Sequence, residues 1–87
     1  GVARDLPPYV VVMGQPAKPR SINIEGLKRR DFSEQQIRNI KNAYKYLYKS
    51  DLRLEEAVEK MSLLSEISDE VTIMIDFLNQ SSRGIVR

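Results

Sequence analysis

Histidine, cysteine and tryptophan are all absent from the 87 residues. Without cysteine there is no disulfide framework and no Cys-based zinc site. Without histidine the chain lacks the commonest general base and the commonest metal ligand. Any step that needs a histidine base must draw it from elsewhere. No apolar run approaches the ~20 residues that span a bilayer, and the opening Gly1-Val2-Ala3-Arg4-Asp5 is not a signal peptide. That opening also lacks an initiator Met, so the expectation is a fragment or a processed start. Four Gly and four Pro are too few for a fibrous or disordered chain. A chain this short buries only about 60% of its unfolded surface, so its core is small. It forms one small domain or a piece of a larger one.

The net charge of +2 hides an asymmetry. Residues 20–50 carry eight Lys/Arg against Glu25, Asp31 and Glu34, a net of +5. Residues 51–80 carry Arg53 and Lys60 against eight Asp/Glu, a net of −6. A basic segment followed by an acidic one predicts mutual attraction, and the basic one also suits an acidic partner.

Pro7 and Pro8 impose an extended entry. The β-branched, apolar run at 9–13 then predicts a short strand, stopped by Gly14 and a Gly14-Gln15-Pro16 turn. A lone strand has no partner in an otherwise helical chain, and an open edge is unstable. The expectation is that it stacks on something outside these residues.

Residues 21–30 suit a short helix capped by Asn23, with Glu25 at the positive end of its dipole, Gly26 weakening it and Asp31 ending it. Ser33-Glu34-Gln35-Gln36 is a capping box that opens the main helix, which runs to about Lys49. At 100° per residue, Ile37, Ile40, Tyr44, Leu47 and Tyr48 share one face. Arg38, Lys41, Lys45 and Lys49 fill an adjoining arc about 80° wide. A second helix runs from about Leu54 to Ser65, with Leu54, Ala57, Val58, Met61 and Leu64 inward. Ser68 caps a third, whose Val71, Ile73, Met74, Ile75, Phe77 and Leu78 cover more than half its circumference. It is expected to be the most buried helix, with the tail at Arg87 loosely held. Short loops favour antiparallel packing. The fold class is mainly α: a small antiparallel bundle, one short helix plus three longer ones, after one N-terminal strand.

The junction Asn23-Ile24-Glu25-Gly26-Leu27-Lys28-Arg29-Arg30 concentrates polar groups. Arg29 and Arg30 can offer paired donors to phosphate oxygens. Glu25 can accept from a sugar hydroxyl or base N–H, and Asn23 can donate or accept. A nucleotide-type ligand fits this set; a solvated first helical turn is the plainer explanation. In the stripe Arg38, Lys41, Lys45 and Lys49 only Arg38 has an acidic residue at i±4, Glu34, and the stripe adjoins Lys28, Arg29 and Arg30. Tyr44 and Tyr48 fall on the buried arc rather than outward, which argues against nucleic acid. The absence of Trp or Phe on the apolar face argues against a membrane surface. An acidic protein is the remaining partner class. Glu55, Glu56, Glu59 and Glu66 form a solvated face and no metal site, there being no calcium-binding loop pattern. No Gly-rich phosphate loop and no Ser-His pair exists.

Asp5-Leu6-Pro7-Pro8-Tyr9-Val10-Val11-Val12-Met13-Gly14-Gln15-Pro16-Ala17 resembles the exit coil of hexapeptide-repeat, left-handed β-helix acyltransferases. The run from Asn23 to Arg30, followed by Phe32-Ser33, then Asn42-Ala43-Tyr44-Lys45 and Ser82-Arg83-Gly84-Ile85-Val86-Arg87, is narrower. Together these resemble the C-terminal domain of the acyl-carrier-protein–UDP-N-acetylglucosamine O-acyltransferases of lipid A synthesis. The resemblance covers essentially the whole chain. It implies residues 1–20 as the last β-helix coil and exit linker, and 21–87 as a C-terminal α-helical domain. It implies a cytoplasmic homotrimer that moves a 3-hydroxyacyl chain from acyl carrier protein to the 3-hydroxyl of UDP-N-acetylglucosamine. No cofactor and no metal are implied beyond the carrier's phosphopantetheine arm. The family's base is a His on the β-helix, so no catalytic residue is expected here and the 87 residues alone are expected to be inactive. Asn23, Glu25, Arg29 and Arg30 take the substrate-binding positions. Lys28, Arg38, Lys41, Lys45 and Lys49 take the carrier-protein surface. The family usually has Gly where this chain has Asp31, which adds a negative charge near the cleft. The alternative is a stand-alone helical module that binds an acidic protein or nucleic acid.

Overall fold

Two strands, not one, begin the computed structural model, which describes residues 5–81 and 84–87. β1 (Val10–Met13) pairs antiparallel with β2 (Lys18–Ile22). The expected lone strand therefore finds its partner inside the chain. Its partner was illegible because Lys18-Pro19-Arg20-Ser21-Ile22 is poor in strand formers. A bulge explains how the chain tolerates it: Val11 pairs with Ser21 and Val12 with Pro19, so Arg20 is the extra residue. Bulges and edges are where a strand accepts proline. Val10 and Ile22 are opposite one another and both are buried, so the ribbon is held by the helical core.

α1 (Ile24–Arg29) follows directly, capped by Asn23. It ends in a Schellman motif: Phe32 N donates to Leu27 O and Asp31 N to Lys28 O, both at 3.0 Å. Asp31 takes the left-handed conformation such an ending requires, with φ 62°. That is the physical reason a glycine suits this position, and the stop expected at Asp31 is where the helix ends. Replacing Asp31 by glycine should raise stability by about 0.5–1 kcal/mol. The relief of a left-handed side chain outweighs the added unfolded-state entropy, and a carboxylate leaves the negative end of a helix. An unchanged or lower urea midpoint would count against this account.

Three longer helices complete the chain: α2 (Glu34–Tyr48), α3 (Leu54–Ser65) and α4 (Asp69–Gln80). Ser33 and Gln36 form the reciprocal capping box, with Gln36 N to Ser33 Oγ 3.0 Å and Ser33 N to Gln36 Oε1 2.7 Å. Ser68 caps α4 as expected. α3 and α4 pack on each other, and α2 packs on both and on β2. This makes α2, and not α4, the central helix. Ile40, Ala43, Tyr44 and Leu47 are buried, as is Asn39, whose Oδ1 accepts from Gln35 Nε2 at 3.0 Å. On α4 only Val71, Met74 and Leu78 are buried, and Ile73 is 52% exposed. Two rows of neighbours cannot cover more than half a helix, so one of its apolar residues faces water. Tyr44 and Tyr48 pack at 4.9 Å, and burial pushes the Tyr48 phenol up to about 12. The Tyr44 hydroxyl is the one buried side-chain polar atom without a partner among the described residues.

The tail is firmly held rather than loose. Asp5 N donates to Gly84 O (2.9 Å) and Val86 N to Asp5 O (2.8 Å), a parallel bridge between the two ends of the chain. Ile85 is buried in the core, and Tyr48 Oη donates to Val86 O at 2.7 Å. Arg87 Nε donates to Leu47 O at 3.1 Å, and its Nη2 donates to Leu52 O. One guanidinium thus satisfies a carbonyl left open in the last turn of α2 and another in the loop that leads to α3. A polar sequence at a terminus hides contacts made through backbone groups. Ser82 and Arg83, part of the quoted resemblance, lie outside the described residues.

The starts of α2 and α4 are joined by one carboxylate. Glu70 accepts from Ser68 Oγ (2.6 Å) and from Gln36 Nε2 (2.5 Å). The Ser68 hydrogen bond is the main cause holding its carboxyl below the ordinary range, against burial. The linkage follows: a depressed folded pKa adds stability above the unfolded pKa, and this is lost as pH falls through the folded value. Glu70→Gln should therefore flatten the acid limb of a stability-against-pH curve. An identical acid limb in both proteins would rule out this link.

Candidate functional site

Helical spacing sorts the junction residues into two groups. Asn23, Gly26, Leu27 and Arg30 fall at i, i+3, i+4 and i+7, one face of α1. These four line a shallow cleft of roughly 200 Å³, together with Tyr9, Val10 and Val11. The strand supplies one wall because Asn23 N donates to Tyr9 O at 2.9 Å, tying the helix start to the ribbon. Leu27 forms the cleft floor and is 2% exposed. Glu25 and Arg29 are exposed and are not among the lining residues. Of the four predicted substrate-binding residues, two are brought together and two are not.

Two aromatic residues belong to the site and were not singled out as site residues from sequence. Tyr9, at φ 68°, meets Phe32 edge to face, with centroids 6.0 Å apart. The Arg30 guanidinium carbon lies 5.2 Å from the Phe32 centroid. This stack orients a side chain that is otherwise free to swing. Burial raises the Tyr9 phenol, the Arg30 charge opposes that rise, and Glu70 adds to it. A usable signal was present, since Phe32 follows the Arg pair by two residues and the Schellman turn folds it back. The turn itself was not readable from an aspartate.

The second predicted surface is open. Lys28, Arg38, Lys41, Lys45 and Lys49 are all exposed. The four on α2 make no ion pair with a described residue, and Arg38 donates only to Gln35 Oε1, at 3.2 Å. The expected attraction between the basic and acidic segments is therefore not realised as ion pairs among the described residues. Burial of Ala57 and Met61 sets the seating of α3, whose Glu55, Glu56 and Glu59 remain in solvent. No group of three metal-ligating side chains occurs among the described residues, and no described helix is long and apolar enough to cross a membrane.

A capped short helix, an aromatic-backed arginine and a β-ribbon in front of a three-helix bundle define the class: a helical domain with a small donor-rich cleft at its entry. The family model described as Udp N-acetylglucosamine O-acyltransferase, Domain 2, matches residues 5–86. Among solved structures, the chain is 40% identical to LpxA, a UDP-N-acetylglucosamine acyltransferase from Bacteroides fragilis, with a TM-score of 0.92. It is likewise 40% identical to LpxA from Acinetobacter baumannii, with a TM-score of 0.91. Each match covers 98% of this chain and 33% of the other. The Francisella novicida UDP-N-acetylglucosamine acyltransferase is 36% identical, with a TM-score of 0.91 over 97% of this chain and 31% of that one. The chain belongs to the UDP-N-acetylglucosamine O-acyltransferase family, and it spans about a third of the length of these relatives. Membership favours the acyltransferase reading over the stand-alone helical module.

Proposed function

We propose that this chain is the C-terminal part of an acyltransferase that moves a 3-hydroxyacyl chain from acyl carrier protein to the 3-hydroxyl of UDP-N-acetylglucosamine, the first step of lipid A synthesis. The observation that carries the reading is the cleft where Asn23 and Arg30 converge beside Tyr9. A volume of roughly 200 Å³ is less than the range usual for a whole ligand of nucleotide size, so it receives one end of the sugar nucleotide. Another part of the enzyme encloses the rest. In this reading residues 1–20 belong to the last coil and exit of a left-handed β-helix, and 21–87 to the helical domain. The enzyme is a cytoplasmic homotrimer, and its general base is a histidine outside this chain. The acceptor hydroxyl oxygen attacks the thioester carbonyl carbon, the carbon–sulfur bond breaks, and the carrier leaves as a thiol. The residues here bind and orient, with no metal and no cofactor beyond the carrier's own arm. The 87 residues alone are inactive. Glu25 and Arg29, on the outer face of α1, contact the substrate only where the remainder of the enzyme approaches that face.

The open stripe Arg38, Lys41, Lys45 and Lys49, with Lys28, receives the acidic carrier protein. Exposed charges act through a screened field, so they affect encounter and weak binding. In the full-length enzyme, Lys45→Ala should raise KM for acyl carrier protein about two- to fivefold at low salt, with the effect fading towards 0.5 M salt. KM for UDP-N-acetylglucosamine should stay unchanged. Arg30→Ala should do the converse. Equal effects of both substitutions on both substrates would defeat the division into two surfaces.

A further inference from the structure

Tyr9 holds a backbone conformation that its residue type avoids. Its φ of 68° lies in the left-handed region, where glycine is at ease and a bulky side chain is strained. Such strain persists only where the surroundings impose it, and it concentrates at functional sites. Three contacts impose it here. The Tyr9 carbonyl accepts from Asn23 N at 2.9 Å. The next residue, Val10, is buried opposite Ile22. The Tyr9 ring meets Phe32 edge to face. The residue is thus pinned through its carbonyl, its neighbour and its ring, and it forms part of the cleft lining where the ribbon faces α1.

None of these contacts uses the phenol hydroxyl. Phenylalanine would serve the core and the edge-to-face contact equally well. The hydroxyl has no hydrogen-bond partner among the described residues, and unlike that of Tyr44 it is not sealed from solvent. Arg30 lines the same cleft, and Phe32 touches both side chains, with its centroid 6.0 Å from the Tyr9 centroid and 5.2 Å from the Arg30 guanidinium carbon. Burial raises the phenol pKa more than the Arg30 charge lowers it, so the hydroxyl keeps its proton at neutral pH and can donate.

From this we propose that Tyr9 is a ligand-contacting residue of the cleft, its hydroxyl donating a hydrogen bond to the end of the sugar nucleotide that Arg30 also holds. The inference rests on the nucleotide reading above and deepens it. A phenol and a guanidinium on one ring suit an acceptor oxygen, phosphoryl or carbonyl. A strained aromatic residue with an unused hydroxyl is what separates this role from simple packing.

The test uses the full-length enzyme with UDP-N-acetylglucosamine as varied substrate. Tyr9→Phe keeps the ring contact and removes only the hydroxyl. Its KM should rise about two- to twelvefold, the span of one neutral hydrogen bond. Its kcat, its KM for acyl carrier protein and its Tm should stay near the parent values. Tyr9→Leu removes the ring as well, so it should lower Tm and raise KM further. With UDP and uridine as competing inhibitors of Tyr9→Phe, weaker inhibition by UDP alone places the acceptor on the diphosphate, and weaker inhibition by both places it on the nucleoside. Unchanged inhibition by both, beside a raised KM, places it on the N-acetylglucosamine. Each of the three supports the contact. A raised KM in Tyr9→Phe that comes with a lowered Tm and a raised KM for the carrier would make Tyr9 a structural residue and overturn the contact. Parental KM in Tyr9→Phe, beside a raised KM in Arg30→Ala, would also overturn it and leave the nucleotide reading standing. Parental KM in both variants would remove the nucleotide reading itself.

Discussion

Replacing Arg30 by alanine in the full-length enzyme should raise KM for UDP-N-acetylglucosamine by about 10- to 150-fold. The magnitude follows from the geometry. Arg30 lines a cleft too small to admit much water once filled, and its guanidinium carbon lies over the Phe32 ring, 5.2 Å from the centroid. A hydrogen bond to a charged group contributes about 1.5–3 kcal/mol, which is this fold-change. In the proposed role Arg30 meets a part of the substrate that does not react, so the interaction would be present before and during the chemistry. The loss should therefore appear in KM with kcat little changed. Lysine at position 30 should recover only a small part of the loss. It keeps the charge but not the fork of donors, and its ammonium meets an aromatic face less well than a guanidinium does. Stability should change little, since Arg30 is exposed. Steady-state kinetics beside thermal unfolding of the three proteins separates these effects. A parental KM in the alanine variant would take Arg30 out of the binding site.

The largest expected loss of stability comes from Leu27→Ala, at about 2–5 kcal/mol. Leu27 is 2% exposed and belongs to the main core cluster, which also holds Val10, Ile22 and Ile40. Its carbonyl accepts both Arg30 N and Phe32 N in the turn that ends α1. A six-residue helix is too short to persist on its own propensity, so this side chain anchors it. Methionine at the same position should cost less than about 1.5 kcal/mol, because it conserves volume. Denaturant unfolding measures both. In the proposed role the alanine variant should also bind UDP-N-acetylglucosamine more weakly, since α1 and its two caps supply Asn23, Gly26, Leu27 and Arg30 to the cleft lining. A midpoint within error of the parent would show that α1 is not held through Leu27.

Much of the helical layout was legible from local chemistry. Ser33 with Gln36, Ser68 with its acidic first turn, and Asn23 with Gly26 each satisfy helix ends through residues three or fewer positions apart. The apolar faces of α2 and α3 repeat at the helical period. Such signals are contained within one or two turns of chain. The partner of β1 was not legible, because β2 is made from Pro, Lys and Arg and is tolerated only through a bulge. The seating of Ile85 and Arg87 was not legible either, because the bonds that hold the tail reach back to Asp5, Tyr48, Leu47 and Leu52.

The candidate site divides in the same way. Sequence by itself determined that Asn23, Glu25, Arg29 and Arg30 are crowded on a short helix, and that α2 carries a cationic stripe beside its buried face. Both conclusions rest on a fixed rotation per residue. Only the tertiary structure decided that Asn23 and Arg30 share a cleft with Tyr9 while Glu25 and Arg29 do not. Only it showed that the Asn23 carboxamide oxygen is engaged by Gly26 N, and that α2 rather than α4 lies at the centre. These depend on which face of α1 meets the ribbon. That choice is made by Leu27, Val10 and Ile22 as they bury together, and no local pattern records it.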